Sequence, residues 1–445
     1  MKVHLISIGG AVMHNLALEL QRNGHIVTGS DDEIFEPSKS RLAKAGLLPM
    51  NMGWRSDNIT ADLDLVILGM HARADNIELK KAQELHLNIQ SFPEFVSNHS
   101  QNKKRIVIAG SHGKTTTTAM VMHILSSQNL DFDYLVGSKL EGFDLMVKLT
   151  DAPIIVIEGD EYLSSTIDLR PKFLWYEPEI AVITGIAWDH INVFPTYELY
   201  TKQFDLFTQT MSDDSALIYY GEDEDLVAIC EGQRRLKLIP YKTPENEVID
   251  GITHVIQDGQ KFQMTVFGDH NLANMQSAVH VCSNLDISAQ SSWHALQSFG
   301  GTSSRLEKLH DSGDLVIYKD FAHSPSKVEA TVAAVRKSYP NHKLISVLEL
   351  HTFSSLNADF LPLYRNTMNL SDVAIVHYNP HVFEMKKMPV LEESVVRSNF
   401  GSVEVETNTE VLKQKVVEEN SGKRVFLFMS SGNWGGINWL EVLTE

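Results

Sequence analysis

Arg105-Ile-Val-Ile-Ala-Gly-Ser-His-Gly-Lys-Thr-Thr-Thr-Thr118 is the stretch that decides the fold class of this chain. Residues 106–109 form a short apolar, β-branched run that reads as a buried strand. Gly110 stops it, and a helical run follows from Lys114. Strand, tight glycine loop with Lys-Thr, then helix is the order of a phosphate cradle. Loop amides and the helix N-terminus face the anion, Lys114 supplies a point charge, and the Thr115 hydroxyl can hold Mg²⁺. Gly110, Ser111, His112, Gly113, Lys114, Thr115 and Thr116 are the candidate nucleotide residues. The spacing is G-x-x-G-K-T; the longer G-x-x-x-x-G-K-T is absent because position 108 is Ile.

On either side of this loop the same alternation recurs. Strand signals at 3–8, 25–28 and 63–68 and a helical run at 11–23 give residues 1–100 an α/β pattern with a parallel sheet. The polar stretch 97–104 reads as a linker. Strands at 153–157 and 180–184 continue the second unit, 101–300. The Gly/Ser joint Phe299-Gly-Gly-Thr-Ser-Ser304 opens a third, 301–445, with strands at 315–318, 343–348, 373–376 and 425–429. The expected class is therefore α/β in three domains: an N-terminal Rossmann-like domain, a central P-loop ATPase-like parallel sheet, and a C-terminal Rossmann-like domain.

A chain of 445 residues accommodates two to four domains, and 43% hydrophobic with 21% charged residues is ordinary for a globular protein. The formal net charge of −19 disfavours nucleic-acid and membrane-surface partners. No apolar run approaches the roughly 20 residues of a membrane span. The N-terminus does not read as a signal peptide, and Cys230 and Cys282 give neither a disulfide framework nor metal spacing. A cytoplasmic location is expected.

Other constellations carry chemistry. The first strand ends in Gly9-Gly10-Ala11 before a helix, and the second ends in Ser30-Asp31-Asp32. Glycines admit a diphosphate to a helix N-terminus and the acid takes a ribose hydroxyl, so a dinucleotide or a nucleotide-diphosphate sugar fits. G-x-G-x-x-G itself is absent. Glu158-Gly-Asp-Glu161 and Asp189-His190 each follow a strand, where carboxylates and an imidazole suit Mg²⁺ beside a phosphate loop. Asn271 and Asn274 lie three apart before a helical run, and side-chain amides both donate and accept, as adenine requires. Arg305 can reach a phosphate. In Asp320-Phe-Ala-His323 the acid can hold a ribose and the imidazole can give polar support. His351-Thr-Phe-Ser-Ser355 and Ser430-Ser-Gly-Asn433-Trp-Gly-Gly436 follow later strands, and the second loop can cradle a carboxylate.

Taken together, Gly110-Ser-His-Gly-Lys-Thr-Thr-Thr, Glu158-Gly-Asp-Glu, Asp189-His190, Gly268-Asp-His-Asn-Leu-Ala-Asn274 and Asp320-Phe-Ala-His323 resemble, in that order, the Mur ligases of peptidoglycan assembly. The resemblance runs almost end to end. It implies ATP and Mg²⁺, with Lys114, Glu161 and His190 catalytic and Thr115, Glu161 and His190 on the metal. It also implies UDP-N-acetylmuramate near Gly9, Gly10, Ala11, Ser30, Asp31 and His71, and an amino substrate near His351, Ser354, Ser355 and Asn433. Asp168-Leu-Arg-Pro-Lys-Phe173 and Met429-Ser-Ser-Gly-Asn-Trp-Gly-Gly436 most resemble the branch that joins L-alanyl-γ-D-glutamyl-meso-diaminopimelate to UDP-N-acetylmuramate in murein recycling. His351-Thr-Phe-Ser resembles the L-alanine-adding branch instead, which is the alternative; a catalytically inactive nucleotide-binding regulator is the alternative of another class. Ser304 and Ser324 depart from the family pattern of an Arg pair and a His pair. A monomer or weak homodimer is expected.

Overall fold

The computed structural model describes residues 1–249, 252–302 and 305–444. Ser303 and Ser304, and with them part of the Gly/Ser joint, lie outside the described residues. The chain forms two compact units. One gathers residues 1–186, 201–241 and 277–292, and the other gathers 187–200, 242–276 and the chain from 293 onward.

In the first unit, β1 (Lys2–Ile6), β2 (Ile26–Ser30), β3 (Leu65–Leu68) and β4 (Ile89–Ser91) make a parallel four-stranded sheet in the order β2-β1-β3-β4. β1 ends two residues earlier than its apolar run suggests, because Ser7 turns at φ 70°. The chain then enters the helix Ala11–Arg22, whose Gly10 N-cap makes no side-chain cap bond. That leaves the first-turn amides open to an anion.

Of the expected linker at 97–104, residues 100–103 form the turn that joins two regular elements. The helix Phe92–His99 runs into it, and β5 (Lys104–Ala109) begins at its end. The cause is local. Ser91 and Glu94 form a reciprocal capping box, and Phe92, Phe95 and Val96 are buried.

β5 is the central strand of a second sheet that also contains β6 (Asp133–Leu135), β7 (Val147–Lys148), β8 (Ile154–Glu158), β11 (Ile180–Ile183), β12 (Ala216–Tyr220) and β13 (Lys237–Tyr241). The order is β13-β12-β11-β5-β8-β6-β7, parallel except for β7. A hairpin of β9 (Leu163–Ser165) and β10 (Asp168–Pro171) stands apart from it. β3 and β11 are buried along their whole length, as strands covered on both faces must be. Strand order reverses about β5, so the crevice at the C-terminal ends of β5, β8 and β11 is the natural ligand position.

The two sheets of this unit are bonded together. Asn15 Oδ1 accepts the Met146 N–H at 3.1 Å and the Glu19 carboxylate accepts the Leu149 N–H at 2.8 Å. Asn23 Nδ2 donates to the Leu149 carbonyl at 2.6 Å. Lys103 Nζ donates to the carbonyls of Thr150 and Ala152, each at 2.7 Å, and pairs with buried Asp133 at 3.0 Å.

The second unit holds an antiparallel three-stranded sheet of β14 (Asn246–Ile249), β15 (Ile252–Gln257) and β16 (Gln260–Met264). Its larger sheet comprises β17 (Glu307–Asp311), β18 (Leu315–Asp320), β19 (Lys343–Glu349), β20 (Val373–His377), β21 (Glu404–Glu406) and β22 (Arg424–Met429), in the order β17-β18-β22-β19-β20-β21. Only β17 is antiparallel. Side chains alternate between its two faces. Val316, Tyr318, Leu344, Leu348 and Leu427 pack into one core, and Ile317, Val347, Phe426 and Phe428 join Trp434 and Trp439 in the other. Among the described residues no helix is long and apolar enough to cross a membrane.

Candidate functional site

The loop after β5 is built by its glycines. Gly110 sits at φ 121°, and a Cβ there would lie 2.7 Å from the backbone nitrogen of Thr184. Gly113, at φ 78°, is the N-cap of the helix Lys114–Ser127 and makes no side-chain cap bond. Ser111 N–H donates to the Gly185 carbonyl at 2.9 Å, and the Thr184 hydroxyl donates to the carbonyls of His112 and Ala109. The end of β11 therefore clamps the loop and leaves the helix N-terminus facing the crevice. This is the geometry a triphosphate requires.

Lys114 lies back across the loop. Its Nζ donates to the Gly110 carbonyl and to Glu161 Oε2, each at 2.6 Å. Glu161 is fully buried. Burial pulls the Lys114 pKa down, but Glu161, Asp160 and Glu158 more than offset this and hold it above the ordinary lysine value. The ammonium is a fixed positive charge.

The carboxylates after β8 have separate partners. Glu158, not Glu161, meets the loop threonine: the Thr115 hydroxyl donates to Glu158 Oε1 at 2.9 Å, and the Gly137 N–H donates to Oε2 at 2.8 Å. Asp160 pairs with Lys172 at 2.5 Å. Burial raises the Asp160 pKa, and Lys172, aided by Lys114, overcomes this and keeps it below the usual range. Hard oxygen donors from Thr115, Glu158, Asp160 and Glu161 gather at one strand end and suit Mg²⁺. Glu158 was read from sequence only within the carboxylate run Glu158–Glu161, without its own role, and Lys172 was given no site role. The signal for Glu158 is its place as the last residue of the strand.

At the first sheet, Gly9 N–H donates to Asp31 Oδ2 at 2.8 Å. The two features named from sequence are thus in contact across the β1–β2 edge. Burial, with neighbouring Asp32, raises the Asp31 pKa to about 6 despite the Gly9 N–H. Gly10 and Ala11 open the helix. His71 is exposed in the loop after β3. Ser30 faces elsewhere: it is fully buried and its hydroxyl donates to Glu78, which also accepts from Asn58 at 2.7 Å and from the Arg55 N–H at 2.9 Å. Its side chain supports the sheet edge and has no free oxygen for a ligand in this conformation.

In the second unit, His190 adopts φ 55°, unusual for a residue with a Cβ. Its N–H donates to Asp189 Oδ1 at 2.8 Å and its carbonyl accepts from Val193 and Phe194. Asp189 lies 3.8 Å from Lys327. Asn271 and Asn274 are both buried on the helix Asp269–Ser283, and Asn271 Nδ2 donates to the Phe267 carbonyl at 2.9 Å. Arg305 stacks on Phe321, 4.3 Å from its centroid. The buried Asp320 carboxylate accepts the Ala322 N–H at 2.5 Å and also the Leu306 N–H. Burial nevertheless leaves its pKa raised. His323 accepts no charge: burial, then Lys327, lowers its pKa to about 3, and Nδ1 pairs with the Phe321 carbonyl at 2.8 Å.

The two loops assigned to an amino substrate hold each other. Ser355, fully buried, accepts the N–H groups of His351 and Thr352 at 3.1 and 3.0 Å, and buried Ser354 lies beside it. Glu349, at the end of β19, accepts the Ser430 hydroxyl and the Trp434 N–H. Gly432 N–H donates to Ser430 Oγ at 2.7 Å, and Gly436 N–H donates to the Asn433 carbonyl at 2.9 Å. These amides of the glycine loop are engaged within the protein, which corrects the expectation of a ready carboxylate cradle. The Asn433 side chain is exposed.

Comparison with known proteins agrees with this arrangement. Residues 2–104 match the model of the Mur ligase family catalytic domain, and residues 108–282 match the Mur ligase middle domain. A UDP-N-acetylmuramate–L-alanine ligase from Arthrobacter sp. (strain FB24) is 30% identical over 386 residues, covering 84% of this chain and 80% of that protein. Among solved structures, a UDP-N-acetylmuramate–alanine ligase from Thermotoga maritima superposes with a TM-score of 0.73 at 21% identity, covering 98% of this chain and 97% of that one. A murein peptide ligase from Psychrobacter arcticus gives 0.68 at 23% identity, covering 100% and 98%. The phosphate loop, the carboxylates at the end of β8 and these matches over most of the chain together place the protein in the Mur ligase family, whose members are ATP-dependent, ADP-forming amide ligases.

Proposed function

We propose that this ligase joins L-alanine to the lactyl carboxyl group of UDP-N-acetylmuramate. The observation that carries the ligase chemistry is the clamped loop with its buried Lys114–Glu161 pair. The choice of L-alanine is supported by the name of the relative that is 30% identical over most of both chains. The sequence alone had favoured the tripeptide, and this reading reverses that order.

Residues 1–100 hold the UDP-sugar, with Gly9, Gly10, Ala11, Asp31 and His71 about it. Residues 101–300 hold ATP on 110–116, with adenine near Asn271 and Asn274. Residues 301–445 supply Arg305, Asp320 and the amine site. Thr115, Glu161 and His190, with Glu158, would hold Mg²⁺, which would supply neutralisation of the phosphate charge. The carboxylate attacks the γ-phosphorus and releases ADP, giving an acyl phosphate. The amine attacks the acyl carbon, a tetrahedral adduct forms, and phosphate leaves. Lys114 stabilises the transferring charge, and the protein otherwise positions the reactants.

A second reading keeps the tripeptide as the amine. One feature favours it. Arg170 on the β9–β10 hairpin is held by Asp168 through two 3.0 Å bonds and stacked 4.1 Å from the Trp175 centroid, a preformed cation that suits a distal carboxylate. ADP release with UDP-N-acetylmuramate and each amine separates the readings. L-alanine is expected to exceed the tripeptide in kcat/KM by at least about tenfold, or about 1.4 kcal/mol in transition-state binding. The reverse order installs the tripeptide, and no release with any amine leaves the nucleotide-binding regulator.

A further inference from the structure

Glu158, Asp160 and Glu161 crowd three carboxylates at the end of β8, and two lysines answer them. Lys114 pairs with Glu161, and Lys172 pairs with Asp160 at 2.5 Å. The two pairs are held in different ways. Lys114 stands on the phosphate loop, where a nucleotide phosphate competes for its ammonium. Lys172 stands outside that loop, at the base of the β9–β10 hairpin.

That base is sewn to Asp160 by backbone as well as by side chain. The Lys172 N–H donates to the Tyr162 carbonyl at 2.9 Å, and the Phe173 N–H donates to the Asp160 carbonyl at 3.1 Å. Phe173 is fully buried and stacks on Phe207 with centroids 4.7 Å apart. Both carboxylate oxygens of Asp160 are engaged: Oδ2 accepts from Lys172, and Oδ1 accepts the Tyr162 N–H at 3.1 Å. Yet the Asp160 side chain is 37% exposed, so its bonds, and not its burial, withhold it from a cation. A magnesium site that works with a nucleotide takes one or two protein carboxylates and leaves the rest of the shell to phosphates and water. Three carboxylates at one strand end would hold a divalent cation more firmly. An anchored ammonium beside one of them both occupies that acid and repels the ion.

We propose that Lys172 is a positioning residue that ties off Asp160, so that Glu158 and Glu161 are the carboxylates of this run that meet the divalent cation and the ion is held weakly enough to leave with ADP. This rests on the ligase reading and deepens its metal site. The assignment gives Asp160 the role of a counter-ion and Lys172 that of a fixed charge, although neither touches the reacting atoms.

The test uses Mn²⁺ as the probe and counts free Mn²⁺ by electron paramagnetic resonance in the whole, nucleotide-free protein. The binding compared is the part abolished by Glu158→Gln. Lys172→Met should bind Mn²⁺ there at least about tenfold more tightly than wild type, because a positive charge leaves and a carboxylate is released. Lys172→Met combined with Asp160→Asn removes the pair and should return to within about threefold of wild type, as should Lys172→Arg. A residue of purely structural importance gives the opposite sign, since a disordered site binds metal less tightly. Unchanged or weaker Mn²⁺ binding in Lys172→Met therefore overturns the proposal, as does a wild type without Glu158-dependent binding. A loss beyond about threefold in the double variant makes Asp160 a metal ligand and also overturns it; that variant leaves no unpaired charge and decides alone if Lys172→Met does not fold. In turnover, Lys172→Met should need less Mg²⁺ for half-maximal ADP release and reach a lower kcat. If no amine yields ADP while Mn²⁺ binding follows the expected pattern, the ligase reading falls and the role of Lys172 stands.

Discussion

Lys114→Ala is expected to abolish ADP release and to weaken the fold at the same time. Catalysis loses its fixed cation at the transferring phosphate, and removal of one such group costs about 10²–10³ in kcat. The stability effect comes from what is left behind. Glu161 is fully buried and takes its ion pair from Lys114 at 2.6 Å. Breaking a buried pair from one side typically costs about 3–5 kcal/mol, because the remaining charge is uncompensated. The buried partner thus makes the substitution a change of stability as well as of catalysis. Thermal unfolding and ADP release separate the two effects. Lys114→Met combined with Glu161→Gln removes both charges and should recover most of the stability while activity stays absent. Near-normal turnover in folded Lys114→Ala would reject the assigned nucleotide site.

Gly110→Ala should be nearly as damaging, by a steric route. At φ 121° an alanine is strained wherever it stands, at about 1–3 kcal/mol. Its Cβ would also press on the Thr184 backbone, and relief of such overpacking costs about 1–3 kcal/mol more. The strand end that clamps the loop must then move, so the loop amides lose their common focus. Saturating MgATP, which at 100 times its Kd should stabilise the wild type by about 2.7 kcal/mol, should give no shift in the variant. Gly142→Ala is the control. It has φ 81° and nothing within 4 Å of its added Cβ, so only the backbone cost applies and the MgATP shift should survive. Equal behaviour of the two variants would show that the Thr184 contact does not matter.

The phosphate loop was readable in sequence because its parts are contiguous: an apolar strand, two glycines, Lys114 and the start of a helix occupy fourteen residues, 105–118. The strands of the later sheet were equally plain, since β-branched runs buried on both faces leave long apolar signatures. The linker at 97–104 is shorter than its composition suggests: Ser97-Asn-His resembles loop composition but closes a helix, and the turn is 100–103. The better signal lay upstream, where Ser91 and Glu94 form a capping box. Partner choice among the carboxylates was not legible. Glu158 and Glu161 are three residues apart, and only the approach of β8 to the helix Lys114–Ser127 decides which one meets Thr115. The amine loops were the least legible, because their polar groups bond to one another. Whether Ser355 or the Gly432 amide serves a substrate or its own loop is a tertiary question.

The bonds from Asn15, Glu19 and Asn23 to Met146 and Leu149 have a consequence for how the protein is built and dismantled. The helix that carries the first glycine turn also covers the margin of the nucleotide-binding sheet. A chain severed after Ser100 would leave the Glu19 carboxylate without its amide and the Leu149 backbone without either partner. Each unsatisfied buried group costs about 1–3 kcal/mol. The two sheets should therefore open as a single cooperative foldon, not as separable modules. Native-state hydrogen exchange is expected to give the amides of β1 and β5 one common opening free energy. Two clearly different values would show that the margin is only adhesive and that the N-terminal hundred residues can live alone.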